Sequence, residues 1–423
     1  MKKYDTYKDS GNQWIGQVPE HWCLYSLKYY LNLQKGRKPE VFVEEGDLPY
    51  VTMDYIRSRE NKTCLYPSSA EGLVPISDDD ILVLWDGANA GEIVKAKKGF
   101  LSSTMAVLDF DKKIGSHQYL FYLLKQMEPI FKTFANGTTI PHFDSSILLD
   151  YKYPLPPLTE QEAIANFLDK KTGEIDQAVA LFEQEKTDLQ AYRKAIISET
   201  VTKGLNPNAK LKDSGIQWIG QIPEEWSVRR MKDKYILQTG TTPKGYDSQD
   251  EGDELINWFT PADITESGNI LNDSQRKISR QVVDDNTILL YPKGSLIFVG
   301  IGATAGKLGY SEVEGYSNQQ ITALIPKDNV QSKYHFYYLM SIKNVLRDTA
   351  SYTTMPIINN AFLSKESIPL PPLSEQEAIV AFLDKKTSDI DTAIECINAQ
   401  IAELQAYRTA LISEAVTGKI DVR

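Results

Sequence analysis

The sequence predicts an α+β protein written twice. Two similar mixed α/β globular domains are joined by two long antiparallel helices, and the halves are related by a pseudo-two-fold internal repeat. Three observations predict this. Near-identical blocks recur at a separation of more than 200 residues, each pair of blocks frames a diverged stretch of globular composition, and each half closes on a heptad-patterned segment. A chain of 423 residues also exceeds one ordinary core, so at least two domains are expected.

The first block is KDSGNQWIGQVPEHW at 8–22, which returns at 212–226 as KDSGIQWIGQIPEEW with 12 of 15 positions identical. The second, LPPLTEQEAIANFLDKKT at 155–172, returns at 370–387 with 15 of 18 identical, and LQAYRKAIISE at 189–199 returns at 404–414 as LQAYRTALISE. The offset grows from 204 to 215, so the second copy carries about eleven extra residues between Pro243 and Gly294. The boundaries that follow are 1–154 for the first globular domain, 155–205 for its helix, 206–369 for the second domain and 370–423 for its helix. Trp14, Trp22, Trp218 and Trp226 recur with the blocks and are expected to anchor each domain's entry. Ile81–Trp85 reads as a strand and Tyr119–Leu124 as helix, hence the mixed assignment.

After each Pro-Pro-Leu a long helix is predicted. Thr159 with Glu162, and Ser374 with Glu377, have the spacing of a capping box. Ile175, Phe182, Leu189 and Ile196 recur every seven residues, as do Ile390, Ile397, Leu404 and Leu411. Ala178 and Tyr192, with Ala393 and Tyr407, stand three residues further on and are expected to fill the second seam position. Each helix should cover about 40 residues, or roughly 60 Å, with Gly173 a point where the first could kink. The other copy is the natural partner for each seam; two separate helices packing on their own domains are the alternative.

Several chemistries are argued against. VGIGATAGK at 299–307 suggests a phosphate loop, but Ile301 and Leu308 stand where a P-loop needs Gly and Ser or Thr. Its counterpart around Gly87-Ala88-Asn89-Ala90-Gly91 keeps only Gly-Ala-x-Ala-Gly, so a tight turn after a strand is the better reading. The cysteines Cys23, Cys64 and Cys396 are scattered, and His21, His117, His142 and His335 lack metal spacing. His142 and Asp144 resemble an acid–base pair, yet copy two has Ile357 and Asn359 there. No apolar run reaches membrane-spanning length and no signal peptide is visible, which together with the odd cysteine count fits a reducing cytoplasm. Of the net charge of −11, the two helices carry −8, which leaves the globular domains room for basic patches.

WIGQ(V/I)PExW opening each half, PLPPL(T/S)EQEAI closing each variable region, and the helix ending in LQAYR(K/T)A(I/L)ISE resemble the specificity subunits of type I restriction–modification systems. The likeness covers essentially the whole chain in the family's order. It implies two target-recognition domains that each read one half of a split site in double-stranded DNA, with a helical spacer between them. It implies a non-catalytic chain with no cofactor of its own. Two modification (methyltransferase) subunits using S-adenosylmethionine would dock on it, and restriction subunits driven by ATP and Mg²⁺ would join the complex. A coiled-coil scaffold that binds only proteins is the competing reading; it leaves the divergence of the two globular segments unexplained.

Base reading needs hydrogen-bonding side chains beside phosphate-positioning ones. In the first domain the candidates are Lys35, Arg37 and Lys38, then Arg57, Arg59 and Lys62, then Lys95, Lys97 and Lys98, with Thr138, Thr139 and His142. In the second they are Thr241, Thr242, Lys244 and Tyr246, then Arg276, Lys277 and Arg280, with Thr353 and Thr354. The two threonine pairs are kept in both copies and suit a sequence-independent phosphate contact. Any single basic residue could equally be a solvated surface charge.

Overall fold

The computed structural model describes residues 2–423 except 13–14, 59–63, 112, 136–140, 245–253, 328–329, 350 and 353–355. It divides into two compact units. One holds Met1–Glu183 and Asn398–Arg423, the other Gln184–Ile397. The units cut across the linear boundaries, because each takes a globular domain, the first part of that domain's helix and the last part of the other helix.

In the first unit, β1 (Leu31–Lys35), β2 (Tyr50–Val51), β3 (Pro75–Ile76), β4 (Ile81–Leu84), β5 (Ile93–Lys95), β6 (Gly99–Leu101) and β7 (Met105–Phe110) build two small sheets. The larger has the order β5-β4-β7-β1 and is antiparallel throughout; the smaller has β2-β6-β3, with β2 and β6 parallel. Strand β4 is buried at all four positions, Ile-Leu-Val-Leu, because both of its faces are covered. Helix α1 (His117–Thr133) packs Leu120, Leu124 and Phe131 into the core on one side of this sheet. Residues of β2, β3, β4, β6 and β7 close a second, smaller core on the other. Helix α2 (Leu158–Lys203) follows, 46 residues or about 69 Å, running through Gly173 without a break.

The second unit repeats the plan. Strands β8 (Tyr235–Thr239), β9 (Leu255–Phe259), β10 (Asn269–Leu271), β11 (Lys277–Ser279), β12 (Leu296–Val299), β13 (Leu308–Ser311), β14 (Gly315–Ser317) and β15 (Ile321–Pro326) form sheets ordered β8-β15-β12-β13-β10 and β11-β9-β14. Strand β10 has no equivalent among the described residues of the first unit and lies within the stretch where the sequence inserts about eleven residues. Helix α3 (Ser332–Asp348) matches α1, and α4 (Leu373–Val416) is the second long helix, of 44 residues.

Each core is finished by the far end of the other half's helix. In the first unit Leu411, Ile412, Ala415 and Val416 join Trp22, Tyr119 and Leu168; in the second, Val201 joins Trp226, Tyr334 and Leu383. Tyr119 Oη shares its proton between the Pro154 carbonyl at 2.9 Å and the Val416 carbonyl at 3.1 Å, and Tyr334 Oη donates to the Val201 carbonyl at 2.8 Å. The two valine carbonyls are final-turn groups that the helix itself leaves unpaired. Trp22 and Trp226 are 0% and 1% exposed, as expected of anchors, whereas Trp218 is 39% exposed and is not one; Trp14 lies outside the described residues.

Two local expectations are corrected. Thr159 and Ser374 do not cap the long helices, which begin one residue earlier, and the Pro157 and Pro372 carbonyls accept the first helical N–H groups. The two residues that follow turn inward instead. Glu160 accepts from Trp22 Nε1 at 3.1 Å and from the Tyr4 hydroxyl, and meets His21 Nε2 at 2.9 Å. Gln161 accepts from the Ser116 amide and donates to the carbonyls of Ile114 and Pro156. Glu375 and Gln376 repeat part of this with Trp226 Nε1 and the Gln331 amide. The motif staples a helix start to a domain entry.

The seam is also phased differently. Tyr192 and Tyr407 are 50% and 48% exposed, so the second seam position is not theirs. Arg193 and Arg408, four residues after Leu189 and Leu404, take it and are only partly exposed. Within its own unit Arg193 meets Asp391 at 3.4 Å, and Arg408 meets Asp176 at 3.3 Å. Each contact joins the two long helices antiparallel, as the repeat requires. Among the described residues no helix is long and apolar enough to cross a membrane.

Candidate nucleic-acid interface

The turn between β4 and β5 has the same frame as the turn between β12 and β13. Leu84 N–H donates to Glu92 O and Gly91 N–H to Leu84 O, both at 2.8 Å; Val299 donates to Lys307 and Gly306 to Val299, both at 2.9 Å. Gly91 and Gly306 sit at φ +92° and +94°, a region that L side chains rarely occupy, which is why both copies keep glycine there. Each turn is tied to a later segment by a single β-bridge, Asp86 to His142 and Ile301 to Ile357. The supposed nucleotide loop is this turn, as its counterpart in the first copy suggested.

On that shared backbone the exposed side chains differ. In the first unit Lys35 Nζ lies 2.9 Å from Asp86 Oδ2 and 5.4 Å from the Trp85 ring, and His142 Nδ1 lies 2.6 Å from Asp86 Oδ1. Burial alone would raise the Asp86 carboxyl, but hydrogen bonds from Lys35 and His142 outweigh it and hold the pKa below the usual aspartate value. His142 therefore pairs with Asp86 and not with Asp144, whose carboxylate caps the short helix Ser145–Asp150. At the matching positions of the second unit, Ile301 and Ile357 stand 38% and 37% exposed, and Thr239 accepts from the Asn360 amide.

The remaining basic candidates divide into free and committed groups. Lys97 donates to the carbonyls of Tyr55 and Ser58, and Lys95 donates to Gln118 and lies beside Asp79 and the Phe121 ring. Arg57 pairs with Glu92 at 2.6 Å. In the second unit Lys277 is held by Asn257 and Asp273, and Arg280 by Glu254 and Glu314. Each of these five cations has a partner within the fold, as Lys35 has in Asp86. Arg37, Lys38 and Lys98, with Thr241, Lys244 and Arg276, present exposed side chains. Thr242 is exposed as well and donates to Gln319 at 3.0 Å. Arg59, Lys62, Thr138, Thr139, Tyr246, Thr353 and Thr354 lie outside the described residues.

Sequence reasoning missed Asp86, Ile301 and Ile357, because their partners stand about 50 residues away and only the fold brings them together. The one available signal was the matched turn itself. Among the described residues no group of three or more His, Cys, Asp or Glu side chains is placed to hold a metal ion.

Comparison with known proteins agrees with the two-fold plan. The chain matches the type I restriction modification DNA specificity domain twice, over residues 19–183 and 223–405. It is 30% identical over 419 residues to the MjaVIII specificity subunit of Methanocaldococcus jannaschii, covering 96% of this chain and 95% of the relative. It is 22% identical to the EcoKI specificity subunit of Escherichia coli K12, covering 96% and 90%. Among solved structures, a chain from a study of complex assembly and conformational transition in a type I restriction–modification system superposes with TM-score 0.74 at 18% identity, covering 95% of this chain and 99% of that one. The HsdS subunit of Thermoanaerobacter tengcongensis superposes with TM-score 0.52, also at 18% identity, covering 95% and 98%. At that identity the superpositions establish the fold.

Proposed function

The chain belongs to the type I restriction–modification DNA specificity family, as a non-catalytic specificity subunit, and on that premise we propose a division of labour within it. Each globular domain reads one half of a bipartite site in duplex DNA. The paired long helices fix the gap between the halves and dock two modification subunits, which methylate adenine with S-adenosylmethionine. Restriction subunits driven by ATP and Mg²⁺ join the same complex, in the cytoplasm. One observation carries the reading: two domains share a backbone frame down to single hydrogen bonds, yet differ in charge and polarity at the exposed positions of that frame. A scaffold that recognised one protein surface twice would have no use for that difference.

The test is a DNA-binding titration of the full chain with its modification subunits, over a range of salt, followed by mapping of methylated adenines. The proposal requires a bipartite motif with two unlike halves and an affinity that falls as salt rises. Lengthening both long helices by one heptad at matched seam positions should widen the gap while leaving both half-sites intact. An unaltered gap would remove the ruler from the proposal.

A further inference from the structure

The internal repeat supplies its own control for what the fold demands. In the two turns, Gly87 and Gly302, Ala90 and Ala305, and Gly91 and Gly306 are the same residue in both copies, and so are Pro141 and Pro356 one position before the bridge. Other positions differ for reasons inside the fold. Trp85 packs edge-on against Phe143 at 5.6 Å, where Gly300 has no room for a Cβ because the Ile358 carbonyl would lie 2.7 Å from it. Glu92 and Lys307 hold internal partners, Arg57 and the Ile264 carbonyl.

Asn89 against Thr304 also differs within the turn, and three further matched positions differ, are accessible and are taken together: Lys35, Asp86 and His142 in one unit, Thr239, Ile301 and Ile357 in the other. The first set is an ammonium and an imidazole about a carboxylate, joined at 2.9 and 2.6 Å. The second presents two adjacent isoleucines to solvent, each more than a third exposed. The fold does not require that apolar pair, since the first unit builds the same bridge from Asp86 and His142. Exposed aliphatic groups at a DNA-reading edge have one base-specific counterpart, the C5-methyl of thymine; ammonium and imidazole donors match the acceptor edge of a purine.

Resting on the reading above, we infer that these matched positions are the base-reading residues of this chain. Ile301 and Ile357 select a thymine methyl in one half-site, while Lys35 and His142, oriented by Asp86, read a hydrogen-bonding base edge in the other. Duplex DNA is the single occupant proposed for each surface.

The experiment uses the full chain in complex with its modification subunits. Methylation mapping of the wild-type complex first defines the two half-sites, and a wild type with no preferred sequence would end both the functional reading and this inference. Thymines of the second domain's half-site are then replaced one at a time by uracil, which lacks only the methyl. One such replacement should weaken wild-type binding about fourfold. The complex carrying Ile301→Ala and Ile357→Ala should be indifferent to that replacement and unchanged toward the other half-site. Lys35→Ala with His142→Ala should relax only the first half-site; retention of selectivity at the second half-site shows that the variant is folded, and retention at the first overturns the role given to Lys35 and His142. A half-site without thymine, or an Ile301→Ala/Ile357→Ala complex with the wild-type uracil penalty, overturns the inference and leaves the two-domain reading standing.

Discussion

Acidification from pH 7 to pH 5 should weaken the second unit, and one histidine there is responsible. His335 on α3 is fully buried, with Nδ1 2.9 Å from Tyr235 Oη and Nε2 3.1 Å from the Pro369 carbonyl. Those partners define the neutral tautomer: Nε2–H donates to the carbonyl and Nδ1 accepts from the tyrosine. Burial lowers its pKa from 6.5 to about 4, opposed by the Pro369 carbonyl and assisted by the Lys234 charge. The unfolded chain therefore takes up a proton near pH 6.5 and the folded chain only near pH 4, so stability is lost as pH falls through that window. Integrating one proton between pH 7 and pH 5 gives a loss of about 2 kcal/mol. The first unit has Leu31 and Leu120 at the positions of Tyr235 and His335, which makes Tyr235→Leu with His335→Leu the matching control. Pulse proteolysis in urea at both pH values, with fragments from 184–397 and 1–183 followed separately by mass spectrometry, measures the difference. A double variant that loses as much at pH 5 as the wild type would refute the assignment.

Three further outcomes follow from the repeated architecture. Gly91→Ala should cost about 2 kcal/mol more than Gly306→Ala in urea midpoint, because a Cβ at 91 meets Phe131 at 2.8–3.0 Å, whereas the nearest atom to one at 306 is 3.7 Å away. Glu160→Ala should destabilise the first unit by about 3 kcal/mol by leaving Trp22 and Tyr4 unpaired, and Glu375→Ala the second by about 1–2 kcal/mol, by differential unfolding of the two units. Arg193→Leu and Arg408→Leu should each leave the thermal midpoint equal or higher, since Arg193 has a buried Nε–H without a hydrogen bond, Arg408 Nε has only an ion-pair contact without hydrogen-bond geometry, and both acidic partners are mostly solvated.

The repeat made much of the fold legible. Identical residues recurring in the same order exposed the block boundaries, the long helices and the shared turn, and the growth of the offset from 204 to 215 marked the stretch where strand β10 lies. The seam's phase was not legible, because apolarity pointed to Tyr192 and Tyr407 while the positions belong to arginines whose charge is answered across the helix pair. Glu160 and Gln161 read as helix-start residues because their partners, Trp22 and Ser116, are far away in sequence. The same limit governed the interface. Lys97 and Arg280 look free in a string of letters and are spoken for in space, whereas Asp86 joins Lys35 and His142 only once the strands are paired.

The first domain's core is closed by Leu411, Ile412, Ala415 and Val416, residues made only after the whole second domain has been translated. At roughly 5–20 residues per second, its opening segment must wait on the order of 20–80 s for that closure. The domain that is translated first is thus completed last. During the interval Trp22 and Tyr119 lack their final cover, a window in which a nascent-chain chaperone would find them, and in which a stalled or clipped chain would yield no half-assembled reader of DNA.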